Sequence, residues 1–324
     1  MTGSMTDGAA VRAPYLREGA LLTVDGLECT FRTPSGPVRA VRGVTFDVMP
    51  GETLGIVGES GCGKTTAGRA LLRLAPAQAG SVVFDGVDLT RLRGRALRAT
   101  RRSLPMIFQD PLSSFNPRRR VVDIVGEGLA IAGASRQEIR RRTDEVLEQV
   151  GMSREAVGER RPHEFSGGQC QRLAIARALA PAPKLIVCDE AVASLDVSVQ
   201  ARVLNVLQEI RERNGLSLIF ISHDLAVVRV VSDRIAVMHR GRIVEIGSAE
   251  AVYRTPAHPY TRRLLDAVPV VDEAERHDMP APEFVDEDWA SVDRDLVEVG
   301  PDHFAALSPE ALDAFRDAVG SGAA

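Results

Sequence analysis

The sequence predicts an α/β fold, a parallel β-sheet covered by helices on both faces. Three observations predict it. Short apolar runs at 54–57, 185–188 and 218–221 alternate with stretches of helical periodicity, and runs this uniformly apolar suit strands buried on both faces. The run at 54–57 passes through a glycine-rich turn into a helix, as in strand–turn–helix units of parallel sheets. Two of the runs end in polar groups, Asp189-Glu190 and Ser222-His223-Asp224. In open parallel sheets the ligand crevice lies at the carboxyl ends of the strands.

Residues 1–20 carry no periodic pattern and are expected to form a disordered leader. Short alternating runs at 21–24, 38–41 and 44–48 read as strands, followed by a strand at 53–57. Residues 58–63 form a turn and 64–74 a helix. A strand at 81–84 runs into Asp85-Gly86, a hairpin dipeptide. Residues 112–180 are mostly helical, and the periodic segment that starts at Arg136 stops at Gly151. Beyond the strand at 185–188 come a helix at 197–213, a strand at 217–221 and a helix at 225–231. A strand–turn–strand follows over 234–246, with Arg240-Gly241 at the turn. From about 252 the chain reads as a separate appendage. It has Pro-rich connectors, an acidic stretch of low hydrophobicity and a short helix capped by Ser308, with Pro309 in its first turn and Gly320 at its stop.

Composition bounds the function. Of 324 residues 44% are hydrophobic, enough for a substantial core. No apolar run is long enough to span a bilayer and no signal-peptide pattern opens the chain, so a cytosolic location is expected, with any membrane role supplied by partners. The four cysteines are scattered, without a CxxC pair, which points to reduced thiols rather than zinc or disulfides. From residue 271 onward 15 acidic residues stand against 3 basic ones, a net of −12 that leaves +8 on the first 270. The arginines of that basic body are dispersed and lack interleaved aromatics, which argues against nucleic acid as a partner. The acidic tail is expected to be a solvated extension.

Gly58-Glu59-Ser60-Gly61-Cys62-Gly63-Lys64-Thr65 matches G-x-x-x-x-G-K-[ST] and is followed by Thr66. Glycines let backbone N–H groups turn inward around phosphate oxygens, and the helix start adds positive potential. Lys64 is expected to reach the β- and γ-phosphates and the Thr65 hydroxyl to ligate Mg²⁺. Paired acids at the end of a buried strand are costly without work or partners. Asp189 is assigned to the Mg²⁺ shell and Glu190 to deprotonation of the attacking water. His223 is placed to fix water and Glu190 together. Gln109, after the apolar run 106–108, is placed to ligate Mg²⁺ and sense the γ-phosphate.

Together with Ser166-Gly167-Gly168-Gln169 before a helical run, these motifs resemble an ABC-type ATPase over residues 21–250. The resemblance implies a P-loop NTPase cassette over 21–251. It would have a RecA-like parallel core, an antiparallel β subdomain, a helical subdomain at about 111–180 and a C-terminal extension over 252–324. It further implies that Ser166–Gln169 of one cassette closes on ATP held by another, with two ATP at the dimer interface. Asp196 becomes the cross-interface aspartate and Phe31 the aromatic that stacks on adenine.

Phe108-Gln109-Asp110-Pro111, Ser113-Ser114-Phe115-Asn116-Pro117, Arg161-Pro162-His163-Glu164-Phe165 and Ile221-Ser222-His223-Asp224-Leu225 resemble the ATP-binding subunits of bacterial oligopeptide and dipeptide importers. So do His258-Pro259-Tyr260-Thr261, Leu264-Leu265 and Val268-Pro269. The implied partners are a second cassette, identical or related, two membrane-spanning permease subunits and, indirectly, an extracytoplasmic solute-binding protein. The implied place is the cytoplasmic face of the membrane. Nickel or sugar derivatives as cargo, and a soluble non-transport ABC ATPase, are the alternatives. The chain departs from the family pattern in Cys170 for an Arg, Ala191 for a Pro and an inverted Ala193-Ser194. None of these removes a phosphate, metal or base group.

Overall fold

The computed structural model describes residues 13–267 and 293–321. An antiparallel sheet holds β1 (Leu22–Thr33), β2 (Gly36–Val48), β4 (Ala79–Phe84) and β5 (Val87–Asp88), in the order β2-β1-β4-β5. The second sheet has eight strands. Its parallel centre runs β9 (Arg234–His239), β3 (Thr53–Val57), β8 (Ser217–Ile221), β7 (Leu185–Asp189) and β6 (Met106–Ile107). Beyond β9 the sheet continues antiparallel through β10 (Arg242–Ser248), β12 (His303–Ala305) and β11 (Val297–Gly300).

Successive residues of the parallel strands point to opposite faces, as the period of two requires. Ile186, Cys188, Leu218, Phe220, Ile235 and Val237 join one core. Leu185, Val187, Ile219, Ile221, Ala236 and Met238 join the other. The second core is closed by α1 (Lys64–Leu71) and the antiparallel sheet, beside α2 (Gly94–Arg102), which buries none of its residues. The first is closed by helices. A helical insertion between β6 and β7 comprises α3 (Val121–Val125), α4 (Glu127–Ile131), α5 (Arg136–Gln149), α6 (Arg154–Val157) and α7 (Gly167–Leu179). It is followed by α8 (Val197–Asn214), α9 (Leu225–Val231), α10 (Ala249–Arg254) and α11 (Pro259–Asp266), and α12 (Pro309–Ser321) ends the described chain. Both hairpin dipeptides form their turns: Asp85-Gly86 joins β4 to β5 and Arg240-Gly241 joins β9 to β10, with positive φ at all four residues.

Four expectations need correction. The three short strands expected over 21–48 are two long strands of one hairpin, because bulges near Leu27 and Cys29 interrupt the alternation without ending the pairing. The first helix stops at Leu71 rather than 74, and Arg73 takes a left-handed φ of 54°. The leader expected over 1–20 is packed from Ala13 onward: Tyr15 meets Phe304 with ring centroids 5.5 Å apart and Leu16 is buried; residues 1–12 lie outside the described residues. Nor is the C-terminal extension separate or wholly solvated. Between 293 and 321 it adds β11 and β12 to the main sheet and buries Phe304, Leu307 and Phe315. Those few apolar residues are diluted among acids, so composition hid them. Ser308 accepts the Ala311 N–H at the start of α12, as expected, and the helix runs to Ser321. Val268-Pro269 and most of the acidic stretch lie outside the described residues.

A buried charge cluster joins the N-terminal segment to both sheets. Asp47 on β2 is fully buried and Glu52 nearly so. Arg17 Nε lies 3.0 Å from Asp47 and its Nη2 lies 2.5 Å from Glu52. Arg234 at the start of β9 reaches the same two carboxylates at 2.9 and 3.2 Å. Burial alone would raise the Asp47 carboxyl, but hydrogen bonds from Arg17 and Arg234 hold it below the ordinary carboxylate range. A carboxylate depressed in the folded state stabilises fully above its unfolded pKa of about 3.9. That stability is lost as pH falls through the folded value. Asp47→Asn is therefore expected to cost about 3 kcal/mol or more at pH 7 by urea denaturation. The deficit should shrink as pH is lowered through the folded pKa.

Candidate nucleotide site

The phosphate loop leaves the end of β3 and enters α1. Its backbone leaves no room for side chains at two points. A Cβ on Gly58 (φ 150°) would stand 2.1 Å from the Met238 carbonyl oxygen, and one on Gly63 (φ 111°) 2.1 Å from that of Ala40. The Gly241 N–H donates to the Cys62 carbonyl at 2.8 Å. The loop is thus wedged between the end of β9, the β9–β10 turn and β2. Ser60 and Gly61 at its crest remain exposed, and Thr66 is half-buried behind Thr65.

Lys64 is 4% exposed, and its ammonium donates to the Gly58 and Glu59 carbonyls at 2.6 and 2.9 Å. Cys62 Sγ lies 3.9 Å away, and burial pushes that thiol up. The Thr65 hydroxyl donates to Asp189 at the end of β7, 2.7 Å away. Burial raises the Asp189 carboxyl, with the Thr65 hydrogen bond acting against it. A hydroxyl and a buried carboxylate converging in this way are hard oxygen donors suited to Mg²⁺. Glu190 follows with φ 47°, an uncommon backbone for a non-glycine residue. Its N–H is held by the Ile221 carbonyl, 2.9 Å away, and its carboxylate lies 3.5 Å from His223 Nδ1 beyond the end of β8. Lys64, Thr65, Asp189, Glu190 and His223 therefore gather at the carboxyl ends of three adjacent parallel strands.

The other expected residues lie around this centre. Gln109 is exposed just beyond β6, whose Ile107 pairs with Cys188. Phe31 pairs with Val38 across β1 and β2, and both are exposed. Ser166 and Gln169 bond each other: Gln169 N–H donates to Ser166 Oγ at 3.4 Å and Ser166 N–H to Gln169 Oε1 at 2.9 Å, a capping box that starts α7. Asp196 caps α8, accepting from Ser198 Oγ at 2.7 Å and Val199 N–H at 3.0 Å. The Ser198 hydrogen bond leads in holding its carboxyl below the ordinary range. A Cβ on Gly168 would meet Val199 at 2.3 Å, and Gly167 borders Leu195, so the starts of α7 and α8 are packed together. Within one chain these residues are bonded into helix starts rather than onto the phosphate loop. Of the departures from the family pattern, Cys170 and Ala191 are buried, and Ala193 and Ser194 are exposed.

Sequence reasoning missed four contributors to the loop's shape: Ala40, Met238, Gly241 and Tyr260. The first three act through their backbone, which leaves no residue signal. Tyr260 lies in a recognised segment, but only the fold shows its hydroxyl accepting the Glu59 N–H at 2.8 Å. Gly58→Ala is expected to weaken nucleotide binding at least about tenfold and to cost about 1–3 kcal/mol of stability, measured by nucleotide titration and urea denaturation.

Comparison with known proteins agrees with this geometry. The ABC transporter family matches residues 41–193, and the oligopeptide/dipeptide transporter C-terminal region matches 244–285. The chain is 48% identical over 255 residues to the oligopeptide transport ATP-binding protein OppF of Bacillus subtilis, covering 78% of this chain and 83% of that one. It is 51% identical to the Escherichia coli OppF over 75% of this chain and 73% of that one. The glutathione import ATP-binding protein GsiA of Pectobacterium atrosepticum is 45% identical over 89% of this chain, which spans 49% of that relative. Among solved structures, cbiO1 from Clostridium perfringens aligns with TM-score 0.65 and 28% identity, covering 73% of this chain and 91% of that one. The dimeric cassette MJ0796 bound to ADP and Pi aligns with TM-score 0.64 and 26% identity, covering 70% of this chain and 98% of that one. The chain belongs to the ABC transporter family, as an ATP-binding and ATP-hydrolysing cassette that carries the oligopeptide/dipeptide transporter C-terminal region.

Proposed function

We propose that this chain is the ATPase subunit of a peptide importer and that the residues gathered at the strand ends carry out hydrolysis. The observation that carries the reading is the pair of contacts Thr65–Asp189 and Glu190–His223 beside the buried Lys64. The loop N–H groups and Lys64 bind and neutralise the β- and γ-phosphates. Thr65, Asp189 and Gln109 would hold Mg²⁺, which would supply charge neutralisation at the phosphates. Glu190 takes the proton of the attacking water, and His223 orients both. Phe31 stacks on the adenine. Ser166–Gln169 and Asp196 meet the ATP held by a second cassette, a reading supported by the dimeric form of the related solved cassette. Two ATP bridging two cassettes favour the closed state because they contact both halves.

No helix among the described residues is long and apolar enough to cross a membrane. In this reading the cassette acts on two permease subunits from the cytoplasmic face, with an extracytoplasmic solute-binding protein delivering cargo, which the transport and import names of the relatives support. The exposed Leu112 and Ile131 of the helical insertion offer apolar contacts for them. Peptides are the cargo that the names of the relatives support. Purification with the permease subunits, followed by a screen of solutes that stimulate ATPase activity, tests this; stimulation by a non-peptide solute alone would count against it.

Two variants test the site. Glu190→Gln should retain ATP binding, accumulate the closed dimer and lose about 10²–10⁴-fold in kcat. Undiminished turnover would remove Glu190 as the base. Lys64→Ala should abolish measurable ATP binding in an equilibrium titration.

A further inference from the structure

Helix α11 reaches the phosphate loop from the C-terminal region. The Glu59 N–H donates to the Tyr260 hydroxyl over 2.8 Å. Tyr260 is 2% exposed, and its ring centroid lies 4.2 Å from that of His239 at the end of β9. Its own position is tightly held. His258 Nδ1 caps α11 by accepting the Tyr260 N–H at 3.1 Å. The fully buried Glu245 carboxylate on β10 accepts the Ala257 and His258 N–H groups at 2.8 and 3.0 Å. The same carboxylate meets His303 Nε2 on β12 at 2.7 Å. A continuous chain of contacts thus runs from the last strands of the protein, through Glu245 and the start of α11, to the first turn of the phosphate loop.

The other side of that turn is held by Lys64, through the Gly58 and Glu59 carbonyls. A phosphate that engages the ammonium draws it off those carbonyls, because a charge-assisted bond to an anion is stronger than one to a neutral carbonyl. The Tyr260 bond then carries more of the turn's definition in the loaded loop than in the empty one. An interaction stronger in the loaded state raises affinity, since a ligand responds only to the difference between the two states.

We propose that Tyr260 is a positioning residue for ATP, its hydroxyl holding the Gly58–Glu59 turn in the phosphate-accepting shape. Through Glu245 and His303 the C-terminal region thereby sets nucleotide affinity. The inference rests on the assignment of Gly58–Thr65 to the phosphates of ATP.

The test uses the full chain. Tyr260→Phe keeps the ring and removes one oxygen. Its dissociation constant and KM for ATP should rise about threefold to tenfold, while kcat changes by less than about twofold. Hydrogen exchange at the Glu59 amide should accelerate in the ATP-loaded variant. Coupling is reciprocal, so ATP should slow amide exchange in α11 and β12 of the unsubstituted protein, a measurement that needs no variant to fold. Unchanged ATP affinity in Tyr260→Phe, or exchange in α11 and β12 that ignores ATP, overturns the proposal. If Lys64→Ala loses ATP while Tyr260→Phe is unaffected, only the role of Tyr260 falls. If neither variant changes affinity, the loop assignment falls with it.

Discussion

The close approach of the phosphate loop to its surroundings is the constraint on which the rest of the site depends. At Gly58 and Gly63 any side chain would overlap a backbone carbonyl, of Met238 and Ala40 respectively. Backbone neighbours cannot move aside as side-chain ends can, so the loop accepts one path only. That path aims Lys64 and Thr65 at the end of β7, where Asp189 receives the Thr65 hydroxyl. Parallel pairing then places Glu190 and His223 side by side, because β7 and β8 are adjacent and end at the same level.

Two kinds of polar group are buried in this molecule, and they serve different ends. Asp47, Glu52, Arg17 and Arg234 form a closed cluster in which the carboxylates meet guanidinium groups. Opposite charges neutralise one another there, and the cluster ties the N-terminal segment to both sheets. Asp189 is also buried, but it accepts its hydrogen bond from the neutral Thr65 hydroxyl, and burial lifts its carboxyl. Arg69 and Lys64 act on it from a distance without reversing that shift, and no guanidinium among the described residues is bonded to it as in the cluster. The contrast separates an acid closed off by charge pairing from one suited to a ligand, without reference to sequence motifs.

The C-terminal region is part of the main sheet rather than an attachment to it. β12 pairs with β10, and Tyr15 of the N-terminal segment packs on Phe304. Both ends of the described chain thus lie against the same edge of the sheet, near the charge cluster. Arg42 and Arg242, on neighbouring strands of the two sheets, both reach Asp293 at 2.9 and 2.8 Å. The extension therefore fastens the antiparallel sheet to the parallel one from outside.

The sequence by itself determined the α/β class, the strand–loop–helix of the phosphate site, both hairpin turns and the acids at the strand ends. These are local signals: an apolar run, a glycine spacing or a turn dipeptide imposes its geometry through steric and hydrogen-bonding rules acting over a few residues. Only the tertiary structure decided which groups meet. Pairing of Glu190 with His223 depends on the order of strands in the sheet, and the contact of Tyr260 with Glu59 spans 201 positions. The folding of 293–321 was equally hidden. Its apolar residues are too sparse to announce a core of their own, and they become buried because an unpaired sheet edge and the Tyr15 ring are already there to receive them.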